Sequence, residues 1–217
     1  VALGIGGCAA KTEAVTTTQA ETVESTAETT ADVIETVDGT IESMEETQAE
    51  ALQSIRIYGT VTRDESGRLT IDNQSGQSYS GEIVLNVSDE ETLVLDAVEG
   101  LPVNIEDIKD GDTIYVYISQ AMTMSLPPQT SAEMILCNIP ADFKVPDYVT
   151  VDSVVTDAAS SKAELTTADG TTFEIPSDCT ILPYLTKNIV TMDDLSQGRT
   201  CLIWSDDQGV AQKIVVF

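Results

Sequence analysis

Hydrophobic and polar positions change rhythm near residue 54. Beyond it, short runs rich in Val, Ile, Thr and Tyr are set between Gly, Asp and Asn, which predicts β-strands separated by turns. The runs are Ile55–Arg63, Arg68–Asp72, Gly81–Val87, Thr92–Ala97, Thr113–Ser119 and Ala132–Asn138. A polar cluster holding Pro140 and Pro146 predicts a linker over 141–147. Strand signals resume at Tyr148–Thr156, Lys162–Thr167, Thr171–Ile175, Thr180–Leu182, Thr200–Trp204 and Ala211–Phe217.

The two series repeat one another. Ile105-Glu106-Asp107-Ile108-Lys109-Asp110-Gly111, followed by Thr113–Tyr117, parallels Met192-Asp193-Asp194-Leu195-Ser196-Gln197-Gly198, followed by Thr200–Trp204. Each copy reads as one short helical turn capped by Asn104 or Thr191 and closed by Gly111 or Gly198. Three strands, a short helical element and two more strands is the order of an OB-like five-stranded barrel. The fold class is therefore all-β, two tandem OB-like barrels over 54–140 and 148–217, with SH3-like barrels or β-sandwiches as the alternative. Ile114–Ile118 is apolar on both faces, which predicts a strand covered on both sides.

Residues 9–53 differ in kind. Acids recur from Glu13 to Glu50 against the single base Lys11, threonines abound and aromatics are absent. Such a segment buries too little apolar surface to offset its ordering entropy, so it is expected to act as a tether. Within it, Val23, Ala27, Thr30, Ile34, Val37, Ile41, Met44, Gln48 and Ala51 fall at spacings of three and four, with Thr30 and Gln48 polar, which predicts at most a marginal helix over 31–52.

The whole chain carries 37 acids, 10 bases and no histidine, a net charge of −27. That balance excludes phosphate neutralisation by a basic surface, hence nucleic acid as a partner, and it removes histidine-dependent triads and zinc sites. The chain begins Val1-Ala2-Leu3-Gly4-Ile5-Gly6-Gly7-Cys8. Ile5-Gly6-Gly7-Cys8 resembles the bacterial lipobox. The resemblance implies a signal peptide ending at 1–8, a diacylglyceryl thioether on Cys8, and a protein held at the outer face of a bacterial membrane. Two acyl chains anchor stably where one does not.

The repeats differ most between their last two strands. Repeat two has the compact turn Ser205–Gly209, whereas repeat one has Gln120–Ser131, with Met122, Met124, Leu126, Pro127, Pro128 and Gln129. Methionines are adaptable, and polyproline-like backbone is expected at 126–129, so this is a candidate partner-binding loop for a peptide, wall polymer or envelope protein. The alternative is that the loop folds over its own barrel or packs between the repeats. Ala121–Gln129 with Ala132-Glu133-Met134-Ile135 and Asn138-Ile139-Pro140 resembles a segment of uncharacterised secreted proteins of clostridial Firmicutes, a family that implies no activity.

Other chemistry is thin. Met122 and Met124, two apart, would place both sulfurs on one side of an extended chain, towards a soft-metal site with Met134 or Cys137. The signal is weak, and neither a dedicated metal nor a cofactor is expected. Cys137, Cys179 and Cys201 allow at most one disulfide, with Cys179–Cys201 the candidate. Asp64/Glu65, Glu106/Asp107 and Asp193/Asp194 are adjacent and diverge, so an acid-based hydrolase is the weakest reading. Tyr115 and Tyr117 share a strand face and suit sugar stacking, although their counterparts Leu202 and Trp204 suggest packing. The expected function is a non-catalytic, lipid-anchored binding module, with a structural spacer as the alternative.

Overall fold

The computed structural model describes residues 54–157 and 162–217 of the 217-residue chain. Cys8, the acidic tether and the 31–52 stripe lie outside the described residues. Both repeats, as described, fall within one compact unit.

Repeat one contains β1 (Ile55–Arg63), β2 (Leu69–Asn73), β3 (Gly81–Asn86), β4 (Leu93–Asp96), a 3₁₀ turn at Ile105–Asp107, β5 (Thr113–Ile118) and β6 (Gln129–Cys137). Repeat two contains β7 (Asp147–Asp157), β8 (Lys162–Thr167), β9 (Thr172–Ile175), β10 (Thr180–Pro183), a 3₁₀ turn at Met192–Asp194, β11 (Thr200–Ser205) and β12 (Ala211–Val216). The strand order is β3-β2-β1-β5-β6-β4 in one sheet and β9-β8-β7-β11-β12-β10 in the other, the same topology twice.

The protein is all-β and barrel-forming, as the strand pattern predicts. In repeat one, β3 pairs in parallel with the start of β6, from Val84 opposite Gln129 to Asn86 opposite Ser131, and so closes five strands into a barrel. The short β4 is a sixth strand, laid parallel beside the second half of β6. Strand β6 begins three residues earlier than hydropathy indicates, because Gln129–Ser131 complete the closing ladder. In repeat two a single parallel bridge, Glu174 opposite Val210, stands at the corresponding place.

Alternation drives each barrel. Ile57 and Val61 of β1, Ile71 of β2, Ile83 and Leu85 of β3, and Ile114, Val116 and Ile118 of β5 point inward and are buried. Gly59 sits where a Cβ would lie 1.9 Å from the Asp72 carbonyl, so β1 and β2 approach only because no side chain intervenes. The predicted Asn104 cap holds, its side chain accepting from Glu106 N at 3.0 Å, whereas at the second turn it is the Asp194 carboxylate that accepts, from Thr191 N at 2.7 Å. Cys201 occupies the core position of Ile114 and is buried.

The second cover of β5 is the other repeat. Leu95, Tyr117, Met134 and Leu136 face outward from barrel one and form a single buried cluster with Leu202, Trp204 and Val215 of barrel two and Val145 of the connection. The polar groups of Trp204 and Tyr117 in this seam are paired, as burial demands, whereas the buried Arg56 Nε at its border has no hydrogen-bond partner. Trp204 Nε1 donates to Ala97 O at 2.8 Å, and Tyr148 N donates to Tyr117 Oη at 2.8 Å. Gly100, at φ +73°, lies flat against the indole, and a Cβ there would fall 2.6 Å from Trp204 Cη2.

Gly100→Ala therefore combines a left-handed backbone with overpacking of the seam and is expected to cost about 3 kcal/mol. Gly111→Ala has an equally positive φ of +88° but open space around it, and its expected cost is about 1 kcal/mol. Urea midpoints compare the two; equal losses would mean that Trp204 does not press on residue 100.

Candidate functional site

The loop joining β5 to β6 is built from its hydroxyls. The buried Thr130 shares its one hydroxyl proton between the carbonyls of Ser119 and Ala121, each 2.9 Å from Oγ1, and so clamps the loop base. Thr123 N donates to Gln129 O at 2.9 Å, and Gln129 N donates back to Thr123 Oγ1 at 2.9 Å. Thr123 Oγ1 and Ser125 Oγ lie 2.7 Å apart, and Ser125 Oγ donates to Pro127 O at 2.8 Å. These bonds fix the backbone while leaving its apolar side chains outside.

The six candidate loop residues do not share one role. Met124 is fully exposed and Leu126 is 85% exposed. Pro127 is exposed beside them. Met122 turns the other way, packs against the barrel-one core and accepts a contact from Ser78 Oγ at 3.8 Å. Pro128 is buried and its carbonyl accepts from Val84 N at 2.9 Å, while the half-buried Gln129 is already strand. The expected polyproline stretch is thus the entry into β6. The alternative of a loop folded onto its own barrel is met by Met122, and Met124 and Leu126 depart from it.

The same turn separates the sulfurs. Met122 faces inward, Met124 faces solvent, Met134 is buried in the seam and Cys137 in the core of barrel one, so the four do not converge on a metal. Among the described residues no three metal-ligating side chains gather. Of the adjacent acids, Asp194 and Asp64 serve turns: Asp64 accepts from Ser66 N at 2.9 Å, Ser66 Oγ at 2.5 Å, Arg68 N at 3.0 Å and Arg68 Nε at 2.8 Å. The Ser66 hydroxyl is the chief reason that carboxyl is held well below its ordinary range.

A second surface was not legible in the sequence. Arg56 and Tyr58 of β1 stand opposite Tyr117 and Tyr115 of β5 on the outer face. Tyr117 is swallowed by the seam, which removes it from sugar stacking, but Tyr115 is half-buried and stacks on Tyr58 with ring centroids 5.0 Å apart. The Arg56 guanidinium lies over Tyr115 at 4.8 Å and over Tyr117 at 5.8 Å, donates to the Asp147 carboxylate, and reaches Val145 O at 3.2 Å. Arg56, Tyr58, Tyr115 and Asp147, with Ser75, Gln77 and Lys144, line an open cleft of about 410 Å³. A larger groove of about 1540 Å³ lies beyond Arg56, Lys144 and Asp147, which border both. Arg56 and Asp147 are 91 positions apart, so no local motif announces the cleft.

The cysteines are structural. Cys137, Cys179 and Cys201 are free thiols, so the candidate Cys179–Cys201 bridge is not formed. Burial pushes Cys137 and Cys179 up to about 11 and Cys201 up to about 12. Burial likewise raises Tyr117 to about 12.

The chain matches no family model and no curated protein.

A raised thiol or phenol pKa means the folded state holds protons that the unfolded chain releases. Stability from these groups is complete below their ordinary values of 9.0 and 10.0 and declines as pH rises towards about 12. The urea midpoint is accordingly expected to fall between pH 8 and pH 10.5, with a shallower fall in Cys201→Val. A midpoint independent of pH across that range would contradict the burial of these groups.

Proposed function

We propose that this protein is a non-catalytic binding module, held at the outer face of a bacterial membrane by lipid on Cys8 and presenting the β5–β6 loop to an envelope partner. The observation that carries the reading is the pairing of Met124 and Leu126, both exposed, with a backbone pinned by Thr123, Ser125 and Thr130. Apolar side chains left in water on a rigid support favour binding, because little conformational entropy is lost when they are covered. Burying both would contribute roughly 3–6 kcal/mol, enough to anchor a contact that a polar rim completes.

The lipobox-like Ile5-Gly6-Gly7-Cys8 supports the membrane placement, as does the resemblance of the 121–140 segment to secreted clostridial proteins. The acidic stretch behind Cys8 suits a tether, which as a flexible coil of its length would span roughly 35 Å. The occupation of Asp64 and Asp194 in turns supports a role without acid catalysis. A rigid spacer is the second reading, favoured by the apolar seam that joins the repeats.

Met124→Ser combined with Leu126→Ser is expected to weaken binding of the chain to purified cell envelopes at least tenfold, with the melting temperature unchanged. Met122 is left intact because it packs the core. Undiminished binding would remove the loop as the contact and favour the spacer. Mass spectrometry of the native protein is expected to find an acylated N-terminal Cys8; an unmodified thiol would overturn the membrane placement.

A further inference from the structure

We propose that the cleft beside the seam is a second binding site, for an uncharged, hydroxyl-rich oligosaccharide. Its aromatic wall is the pair Tyr58 and Tyr115 on the outer face of β1 and β5; the two rings stack on each other and the Arg56 guanidinium lies over Tyr115, so Tyr58 is the ring that meets a ligand. A pyranose ring presents a face of C–H groups that packs on an aromatic ring and an edge of hydroxyls that needs donors and acceptors at the rim.

The rim supplies both. The buried Asn73 donates its Nδ2 to Gln77 O at 2.6 Å and to Tyr79 O at 2.7 Å, and its Oδ1 accepts from Ser75 N at 3.0 Å and Ser75 Oγ at 2.7 Å. One side chain therefore fixes the whole β2–β3 connection and sets the exposed Gln77 amide at the cleft edge. On the opposite wall, Lys144 donates to Ser205 Oγ at 3.2 Å and to Asp206 O, which ties that wall to repeat two. The site is formed before any ligand arrives.

The occupant's chemistry follows by exclusion. A nucleic acid or a phosphate-bearing wall polymer meets a chain of net charge −27, and both cations of the cleft are already engaged, Arg56 with Asp147 and Lys144 with Ser205 Oγ and Asp206 O. A peptide adding itself as a strand needs an open edge, whereas β1 is paired on both sides by β2 and β5, and β5 by β1 and β6. The volume of about 410 Å³ accommodates one or two sugar rings, and the adjoining groove gives a longer chain somewhere to continue. The site lies on the β1–β5 face, apart from Met124 and Leu126.

The test is calorimetric titration of the full chain with three neutral tetrasaccharides (of N-acetylglucosamine, β-1,4-glucose and α-1,4-glucose), with poly(glycerol phosphate) as the anionic comparison. At least one neutral probe is expected to bind with a dissociation constant of about 1 mM or tighter. Tyr58→Ala and Gln77→Ala are each expected to weaken it about tenfold, one by loss of the stacking face and the other by loss of a rim amide. Gln77 is exposed, so its variant keeps the test open if Tyr58→Ala perturbs the fold. Met124→Ser with Leu126→Ser is expected to leave this affinity unchanged. Absence of binding by all three neutral probes, preference for the polyphosphate, or insensitivity to Gln77→Ala would each overturn the proposal. Loss of sugar binding in the loop variant would overturn it too, by moving the site to the loop.

Discussion

The apolar seam between the barrels is the constraint on which the rest depends. Strands β5 and β11 carry large hydrophobic groups on both faces, and a small barrel can bury only one of them. Tyr117, Met134 and Leu136 on one side and Leu202, Trp204 and Val215 on the other would be left in water if the barrels were separate. Each repeat is therefore the other's second core layer. Bases are scarce here, and three of them work at this junction. Arg56 reaches across to Asp147, Lys144 ties the connection to Asp206 O, and Lys213 donates to Val98 O at 2.9 Å while lying 3.7 Å over the Trp204 ring.

From that junction follow the surfaces available for function. By fixing one barrel against the other, the seam gives the cleft its two walls, one from the β2–β3 connection and one from the segment leading into β7. It also consumes Tyr117, leaving Tyr115 and Tyr58 at the border. The β5–β6 loop gains its shape independently, from Thr123, Ser125 and Thr130. The two surfaces differ in chemistry, one an apolar tip and the other an aromatic cleft with a polar rim.

What the amino-acid order reveals is whatever is local and periodic. Alternation in Ile55–Arg63 and Gly81–Asn86, the Gly111 and Gly198 turns, and the matching order of strands all follow from contacts close along the chain. The both-faced character of Ile114–Ile118 even announces a second cover, though not its identity. The early start of β6 was hidden because Gln129 and Ser131 are polar, and only the parallel ladder to β3 makes them strand. Met122 and Met124 look alike in sequence, and the hydroxyl pairing between Thr123 and Gln129 sends them opposite ways. The cleft was invisible because it joins β1, the β2–β3 connection and residues 143–147, and tertiary packing alone assembles them.

Differential scanning calorimetry of residues 1–217 tests the fused-barrel account most directly. If the seam makes each repeat the other's core layer, the chain melts in one transition whose calorimetric and van't Hoff enthalpies agree. Two resolved transitions, or a calorimetric enthalpy near twice the van't Hoff value, would mean that the barrels fold independently, and the shared core described here would be wrong.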